Sequence, residues 1–510
     1  MMARKYQSAA RLSELLNGIA AFDQAFDCEI TGLSLDSRQV KPGGLFLACG
    51  GYRTQGHDYV EDAIRAGAAA VLWETEANIS HSEKLLKFPP AVKTGVPVIS
   101  VDCLREKVGE IAARFFGHPS RDMLVIGVTG TNGKTSCSQF IAQVLNKNVP
   151  CGVIGTVGYG LYGRLRFASH TTPDAVTLQA LLAEMRDSGA RSVVMEVSSH
   201  GLDQGRINGT AIDIAVFTNL SRDHLDYHND MKSYGQAKQR LFAMPGLKHA
   251  VINTDDAYGR EVMQSLSPSI YGIAYGLAPY ESVPQVLGHD LLLDEQGIQL
   301  SLTTPWGNGR LQSGLLGRFN ASNLLAVIGT LLATGRPLEQ VLTNVRGLTT
   351  VAGRMERFGG EGAQPLVVVD YAHTPDALEH ALRALRDHHP RTLTCVFGCG
   401  GDRDRGKRPL MGKVAEQLAD KVIVTDDNPR SESPADIVAD ILTGLEHPDS
   451  VMVIHDRATA IAHAIDSSGE GDIILVAGKG HEDYQLVGDR KLIFSDREQV
   501  AKLLQRRVGC

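Results

Sequence analysis

The most constraining feature of the chain is the run Val125-Ile126-Gly127-Val128-Thr129, which feeds directly into Gly130-Thr131-Asn132-Gly133-Lys134-Thr135. A helix-like segment follows from Ser136 to Asn146. Glycines in such a turn let backbone N–H groups converge on phosphate oxygens, and the helix N-terminus adds partial positive charge. Lys134 is placed to reach the β- and γ-phosphates, and the Thr135 hydroxyl suits Mg²⁺ coordination. The usual motif has another glycine five residues before Gly133, where Val128 stands here, so Gly130 makes a more compact loop. The pattern predicts that a nucleotide's phosphates are held at a strand-to-helix turn. By itself it names no reaction.

At 510 residues the chain exceeds one hydrophobic core, and two to four domains are expected. Residues 1–105 mix short apolar runs with turns such as Lys41-Pro42-Gly43-Gly44 and read as a small α/β substrate module. From about residue 121 the texture changes to buried-strand runs at 122–127, 193–198, 213–219 and 249–253, with helical patterns between several of them, as at 175–187. This alternation predicts a parallel sheet with helices on both faces, spanning 106–349. The turn-rich stretch 277–312 reads as a β insertion. A second alternating series fills 350–510, with strands at 366–370, 392–397, 421–425, 451–454 and 472–476 and helices at 375–387, 409–419, 434–444 and 457–466. It predicts a Rossmann-like domain without the usual glycine fingerprint. The fold class is therefore α/β in three domains.

A net charge of -7 speaks against a nucleic-acid-coating protein. The cysteines, at 28, 49, 103, 137, 151, 395, 399 and 510, form no CxxC pair and read as reduced thiols. Cys137, just past the phosphate loop, reads as packing. The first 22 residues read as an amphipathic helix, and no apolar run approaches the ~18 residues of a membrane span. A cytoplasmic monomer with small-molecule substrates is expected.

Glu196 closes the strand at 193–198, where a carboxylate beside the phosphate loop can hold Mg²⁺. Asp223-His224 follows a second strand end, where a ligand role competes with simple hydrogen bonding. Lys238, in Tyr234-Gly-Gln-Ala-Lys238-Gln-Arg, reads alone as an exposed helix lysine.

Taken together, these segments resemble the Mur ligases, the ATP-dependent amide-bond formers of peptidoglycan synthesis. The resemblance is carried by the loop Thr129–Thr135, the strand Met195-Glu196-Val197-Ser198-Ser199-His200, the segment Thr218 to His228 and the lysine at 238. It continues in Gly317-Arg-Phe-Asn320-Ala-Ser-Asn323, Gly353-Arg354-Met-Glu-Arg and Asp370-Tyr-Ala-His373. It implies an enzyme of cell-wall biogenesis, and so of cell shape and division. Thr129, Gly130, Thr131, Asn132, Gly133, Lys134 and Thr135 would bind ATP together with Asn320, Arg354 and Asp370. Arg354 would meet the γ-phosphate and Asp370 the ribose. Thr135, Glu196, His224 and Lys238 would serve two Mg²⁺ ions. Lys238 would be carbamylated by CO₂, and the catalytic set would be Lys134, Glu196, His224, Lys238 and Arg354.

Within the family, the residues resemble the MurE-type branch that adds the third amino acid. Leu35, Ser37, Tyr52, Arg53 and Thr54 resemble its uridine-binding segment. Thr171, Thr172, Ser198, Gln204 and Arg206 resemble the surface that holds UDP-MurNAc-L-Ala-D-Glu. Asp427-Asn428-Pro429-Arg430 resembles the motif of ligases that add meso-diaminopimelate, with Arg403, Gly478 and Glu482 completing that site. The physics agrees, because a distal carboxylate wants a bidentate guanidinium, whereas L-lysine would leave Arg430 unpaired. The implied reaction phosphorylates the D-Glu γ-carboxylate and then aminolyses the acyl phosphate. One rival is a ligase like folylpolyglutamate synthase, which lacks a uridine-binding domain and needs no such arginine. A nucleotide switch is the rival from another class, but Asn146-Lys147-Asn148-Val149 does not supply its guanine-reading motif.

Overall fold

The computed structural model describes residues 9–50, 56–75 and 95–508. The chain divides into two compact units, one covering residues 1–275 and 280–284 and the other covering 276–279 and 285–510.

The first unit opens on a four-stranded parallel sheet in the order Gly32–Ser34, Gly44–Ala48, Ala70–Thr75, Val98–Asp102. The central strands Gly44–Ala48 and Ala70–Thr75 are almost entirely buried, which is why they read as apolar runs without alternation. The amphipathic helix expected at the N-terminus is, among the described residues, only Leu12–Leu16 after a two-residue strand at Ala10–Arg11. Asn17-Gly18 follows it, with Gly18 at φ 68°, a conformation that ends helices. The helix Leu104–Phe115 runs through the expected break at residue 105. Its Leu104, Val108, Ile111 and Phe115 share a core with Leu45, Leu47 and Leu72.

The same unit continues with a larger sheet. Its parallel strands lie in the order Cys151–Gly155, Ser192–Glu196, Leu124–Thr129, Ile214–Phe217, His249–Asn253, Tyr271–Gly276. Beyond Cys151–Gly155 the edge is antiparallel, through Gly158–Leu161 and Arg164–Arg166. Leu124–Thr129 sits where the chain order reverses, between a strand that follows it on each side. In open α/β sheets the ligand crevice lies outside the carboxyl ends at such a switch point. The helix Ala175–Asp187 has the bounds the periodicity predicts, because Asp174 caps it by accepting from the Thr177 N–H.

The second unit begins with an antiparallel meander, Gln285–Asp294, Gly297–Thr304 and Gly307–Ser313, which is the expected β insertion. Helices Arg318–Ala333 and Leu338–Arg346 follow. Then comes a sheet in the order Glu356–Gly359, Leu366–Asp370, Ile473–Ala477, Leu393–Phe397, Lys421–Val424, Met452–Val453, parallel except for its first strand. The chain returns to insert Ile473–Ala477 between strands made earlier. This brings the loops after residues 370, 397, 424 and 477 to one end of the sheet. Among the described residues no helix is long and apolar enough to cross a membrane, and the described cysteines are free thiols, four of them buried.

One close approach fixes the two sheets of the first unit against each other. A Cβ at Gly109, in the helix Leu104–Phe115, would overlap the backbone carbonyl of Asn208, and one at Gly209 would strike Gly109. Glycine-to-alanine in a helix ordinarily gains ~0.5–1 kcal/mol. Gly109→Ala should instead lower the melting temperature, by an overpacking cost of ~1–3 kcal/mol. A thermal scan in which this variant gained stability would show that the helix stands clear of Asn208.

Candidate active site

The phosphate loop is a turn held rigid from outside. Gly130 has φ 145° and Gly133, which precedes the helix Lys134–Leu145, has φ 83°. The next strand's loop braces it, because Asn219 O accepts from the Thr131 N–H (2.8 Å) and Asn219 Oδ1 from the Asn132 N–H (2.9 Å). Tyr234 OH lies 3.2 Å from the Thr131 hydroxyl. A Cβ at Gly130 would overlap the Thr218 hydroxyl, so this position requires glycine on space as well as on φ. The N–H groups of the first helical turn have no intrahelical acceptor, which makes the turn an anion cradle.

Glu196 is 1% exposed at the end of the neighbouring strand. Its Oε2 accepts from the Thr135 hydroxyl at 2.9 Å, and its Oε1 accepts from the Thr156 N–H at 2.8 Å. Burial raises its pKa, opposed by these hydrogen bonds and by Lys134. Lys134 donates to the carbonyls of Gly130 and Thr131, at 2.9 and 2.8 Å, and burial lowers its pKa.

Lys238 is not the exposed helix lysine that its segment suggests when read alone. It is 1% exposed, donates to Gly130 O at 2.8 Å and lies 4.4 Å above the Tyr234 ring. Burial, and then the cation of Lys134, push its pKa down to about 6 against the pull of Asp223. Lys134 and Lys238 thus converge on one carbonyl oxygen, leaving Lys238 a neutral amine near pH 7.

His224 reaches that pair through Tyr234, whose ring centroid lies 6.0 Å from its own. It has φ 52° before the short helix Leu225–His228, lies 3.5 Å from its neighbour Asp223, and packs edge-on to His200 with ring centroids 4.9 Å apart. Among the described residues, no group of three or more His, Cys, Asp or Glu is spaced to hold a metal ion. Thr135 and Glu196 are brought together, whereas His224 and Lys238 have other neighbours.

The substrate-surface residues of this unit largely meet. Thr172 donates its hydroxyl to Glu196 O and accepts from the Ser198 N–H, at 2.8 and 3.0 Å. Arg206 donates to Thr172 O at 2.7 Å and, through Nε at 3.0 Å, to Gln204 Oε1. The Thr171 hydroxyl is 3.0 Å from that of Thr156. Leu35 is exposed and Ser37 buried in the smaller sheet's loop. Tyr52, Arg53 and Thr54 lie outside the described residues.

In the second unit, Asn320 is buried near the start of its helix, donating to Leu316 O at 2.8 Å and accepting from Asn323 at 3.0 Å. Asp370 accepts from the Met355 N–H at 2.7 Å, and burial raises its pKa. Arg354 lies 5.0 Å from the Tyr371 ring centroid. At the same end of the sheet, Asn428 Nδ2 donates to Glu482 Oε2 at 2.9 Å, and Gly478, at φ 120°, presses against Asp427. Arg430, at φ 51° after Pro429, donates through Nη1 to Gly401 O at 2.7 Å, while Arg403 is exposed.

Models of the Mur ligase family match the chain in three places: the "Mur ligase family, catalytic domain" over residues 29–116, the "Mur ligase middle domain" over 128–331 and the "Mur ligase, glutamate ligase domain" over 353–480. The UDP-N-acetylmuramoyl-L-alanyl-D-glutamate–2,6-diaminopimelate ligase of Pseudomonas aeruginosa is 51% identical over 479 residues, 94% of this chain and 96% of its own. The chain belongs to the Mur ligase family. The corresponding ligase of Coxiella burnetii is 47% identical over 481 residues, 94% of this chain and 96% of its own. A solved structure of a ligase with the same name aligns with TM-score 0.77 and 36% identity over 98% of this chain and 99% of its own. A folylpolyglutamate synthase of Mycobacterium tuberculosis, at 19% identity and TM-score 0.53 over 80% of this chain and 95% of its own, shares the fold alone. This Mur ligase is thus an enzyme of an ATP-dependent amide-forming class rather than a nucleotide switch.

The sequence alone does not single out Thr156, Asn219, Tyr234 and Lys479. Asn219, Tyr234 and Lys479 lie inside motifs that carry the resemblance, and that proximity is the available signal. Thr156 carries none.

The Lys238 amine titrates near 10.5 when unfolded and near 6 in the fold. Between those values the unfolded chain binds the extra proton, so this group's cost to the fold is present near pH 7 and fades as pH rises. In CO₂-free buffer Lys238→Met should melt above wild type at pH 7, with an advantage that shrinks steadily toward pH 10.5. An advantage independent of pH would mean that Lys238 is not desolvated.

Proposed function

We propose that this Mur ligase joins meso-diaminopimelate to the D-Glu γ-carboxyl of UDP-MurNAc-L-Ala-D-Glu at the expense of ATP, in peptidoglycan precursor synthesis. The observation that carries the acceptor is the assembly of Asp427, Asn428, Arg430 and Glu482 at one end of the second sheet, with Asn428 hydrogen-bonded to Glu482 at 2.9 Å. That assembly offers a guanidinium to one carboxylate and carboxylates to one ammonium, the pair at the far end of diaminopimelate. Among the described residues, the Arg430 guanidinium uses only Nη1 in its hydrogen bonds, so its Nε–Nη2 edge can take a carboxylate side-on. Arg403 and Gly478 belong to the same subsite on this reading.

The loop from Thr129 to Thr135 holds the triphosphate through its N–H groups and Lys134, with Asn320 and Asp370 assigned to the nucleoside and Arg354 to the γ-phosphoryl. Thr135 and Glu196 supply hard oxygens, one of them a buried carboxylate, and this donor set fits Mg²⁺. Bound there, the ion would offset phosphoryl charge. His224 is assigned to a second ion, together with Lys238 once it is carbamylated. The neutral amine of Lys238 is the species that adds CO₂, giving a carbamate and one proton. Thr171, Thr172, Ser198, Gln204 and Arg206, with Leu35, Ser37 and the segment 52–54, are assigned to the UDP-linked substrate. The γ-phosphoryl passes to the D-Glu γ-carboxylate oxygen and leaves ADP. The amine of diaminopimelate then attacks the acyl carbon, and the tetrahedral adduct expels phosphate and loses a proton to form the amide. Lys134 and Arg354 offset charge on the transferring group.

Hydrogen bonds to a charged partner contribute ~1.5–3 kcal/mol, which is ~10- to 100-fold in binding. Arg430→Ala should therefore raise the KM for diaminopimelate at least ~10-fold, with the KM for ATP near wild type. Equal losses for both substrates would sink the acceptor assignment. Enzyme equilibrated with ¹³C-bicarbonate should show a protein-bound carbamate carbon by NMR, absent in Lys238→Arg. An active enzyme without that signal would remove the carbamate from the scheme.

A further inference from the structure

We infer that Lys479 is a positioning residue of the amino-acid subsite, holding the Glu482 carboxylate and the Asn428 amide in register and leaving the cluster room for a single ammonium. The inference rests on the acceptor reading above. Lys479 is 0% exposed, one of the largest fully buried side chains of the protein. Its Nζ lies 3.1 Å from Asn428 Oδ1, 3.1 Å from Glu482 Oε2 and 4.0 Å from Asp427 Oδ1. The Tyr484 ring closes a fourth side, with its centroid 5.7 Å away. An ammonium has three donors, and one buried in this way is tolerated only where acceptors surround it.

The backbone leaves Lys479 little alternative. Gly478 and Gly480, on either side of it, have φ 120° and 54°. A Cβ on Gly478 would come 2.5 Å from Asp427 Oδ2, and one on Gly480 would come 2.7 Å from both Gly353 O and the Tyr371 Cβ. The turn is therefore wedged between the acceptor loop and the Gly353-Arg354 turn, and the side chain between its glycines points into the cluster. Asn428 is locked from both ends. Its Nδ2 donates to Glu482 Oε2, while its Oδ1 accepts from Lys479 and from the Leu486 N–H at 2.9 Å. Removing Lys479 takes a donor from each of the two residues that face the incoming amino acid.

Charge supplies the second part of the argument. Asp427 and Glu482 bring two carboxylates; burial pushes Asp427 toward its neutral form, and Arg457 and then Lys479 hold it toward the ionised one. Arg457 is itself bound through Nε and Nη2 to the buried carboxylate of Asp496, so that pair adds no net charge to the cluster. With Lys479 present, the cluster keeps one net negative charge, which matches one ammonium beside the carboxylate held by Arg430. Without it, two carboxylates would face the distal end of a substrate, which brings a single ammonium. An acceptor with one distal amino group is thus selected by Lys479 as much as by Glu482.

The test is steady-state kinetics on the full-length enzyme with Lys479→Met, Glu482→Gln and the double variant. Lys479→Met should raise the KM for diaminopimelate at least ~10-fold, with kcat within about threefold and the KM for ATP unchanged. Because Lys479 acts through Glu482, adding Lys479→Met to Glu482→Gln should cost less than about threefold. Additive losses, or a wild-type KM for diaminopimelate in Lys479→Met, would overturn the inference. So would a parallel fall of kcat with both KM values. Should the methionine variant not fold, Lys479→Gln, which keeps donors but no charge, tests the charge part alone: it should still raise the KM for diaminopimelate, and a wild-type KM would overturn that part. A wild-type enzyme that diaminopimelate does not saturate would defeat the acceptor reading itself, an outcome separate from these.

Discussion

The buried carboxylate of Glu196 is the contact on which the catalytic end of the first unit depends. A carboxylate without water is tolerated only when its lone pairs are filled. Here they are filled by the Thr135 hydroxyl from the phosphate loop and by the N–H and hydroxyl of Thr156 from the neighbouring strand end. The backbone carbonyl of Glu196 meanwhile holds the Thr172 hydroxyl, which receives the Ser198 N–H. One residue therefore sets the position of the phosphate loop, of the turn that follows Gly155 and of the segment assigned to the muramoyl substrate. Gly155 is part of the arrangement, since a Cβ there would overlap the Glu196 side chain. Burial pushes the carboxyl toward the neutral form while its donors hold it toward the ionised one, and an added cation would tip that balance.

The two buried lysines show how one residue type is given opposite work by its surroundings. Lys238 is buried beside the cation of Lys134 with only one carbonyl oxygen and an aromatic face to receive its charge, so its proton is destabilised, which gives the neutral amine that the proposed carbamylation needs. Lys479 meets an amide oxygen and two carboxylates, which makes it a counter-charge and a clamp. Each environment is completed by a group far away in sequence. Gly130 is 108 residues from Lys238, and Asn428 is 51 from Lys479.

That distance explains what could be read from the chain and what could not. The phosphate loop, the helix Ala175–Asp187 and the alternating strands of the second unit follow from local rules. These are continuous apolar runs for strands buried on both faces, a capping aspartate at 174 and glycines where φ is positive. The antiparallel edge at 158–166 was silent because its short strands carry glycine and charge in place of alternating apolar residues. Lys238 reads as exposed because helical periodicity reports a face, and only the sheet reveals that the phosphate loop covers the face that Lys238 shares with Tyr234. The resemblance supplied Lys238 regardless, but it passed over Lys479, whose role appears only when the loops after residues 424 and 477 are brought together.

Arg430 shows why such a site must be over-determined. A non-glycine residue at φ 51° carries a strain of ~1–2 kcal/mol that an isolated loop would release. Here its N–H donates to Leu486 O at 3.0 Å and its carbonyl accepts from the Gly488 N–H at 2.7 Å, which pins the residue to the hairpin Tyr484–Ile493. Behind it, the fully buried Arg408 binds Glu432 in a double hydrogen bond of 2.9 and 2.8 Å and reaches Gly400 O, so the loop bearing Gly401 cannot drift. The guanidinium of Arg430 is thus fixed before any ligand arrives. In the proposed reaction this rigidity is what makes discrimination sharp. A mobile arginine could turn to water when L-lysine brings no distal carboxylate, whereas a pinned one must leave its charge unpaired.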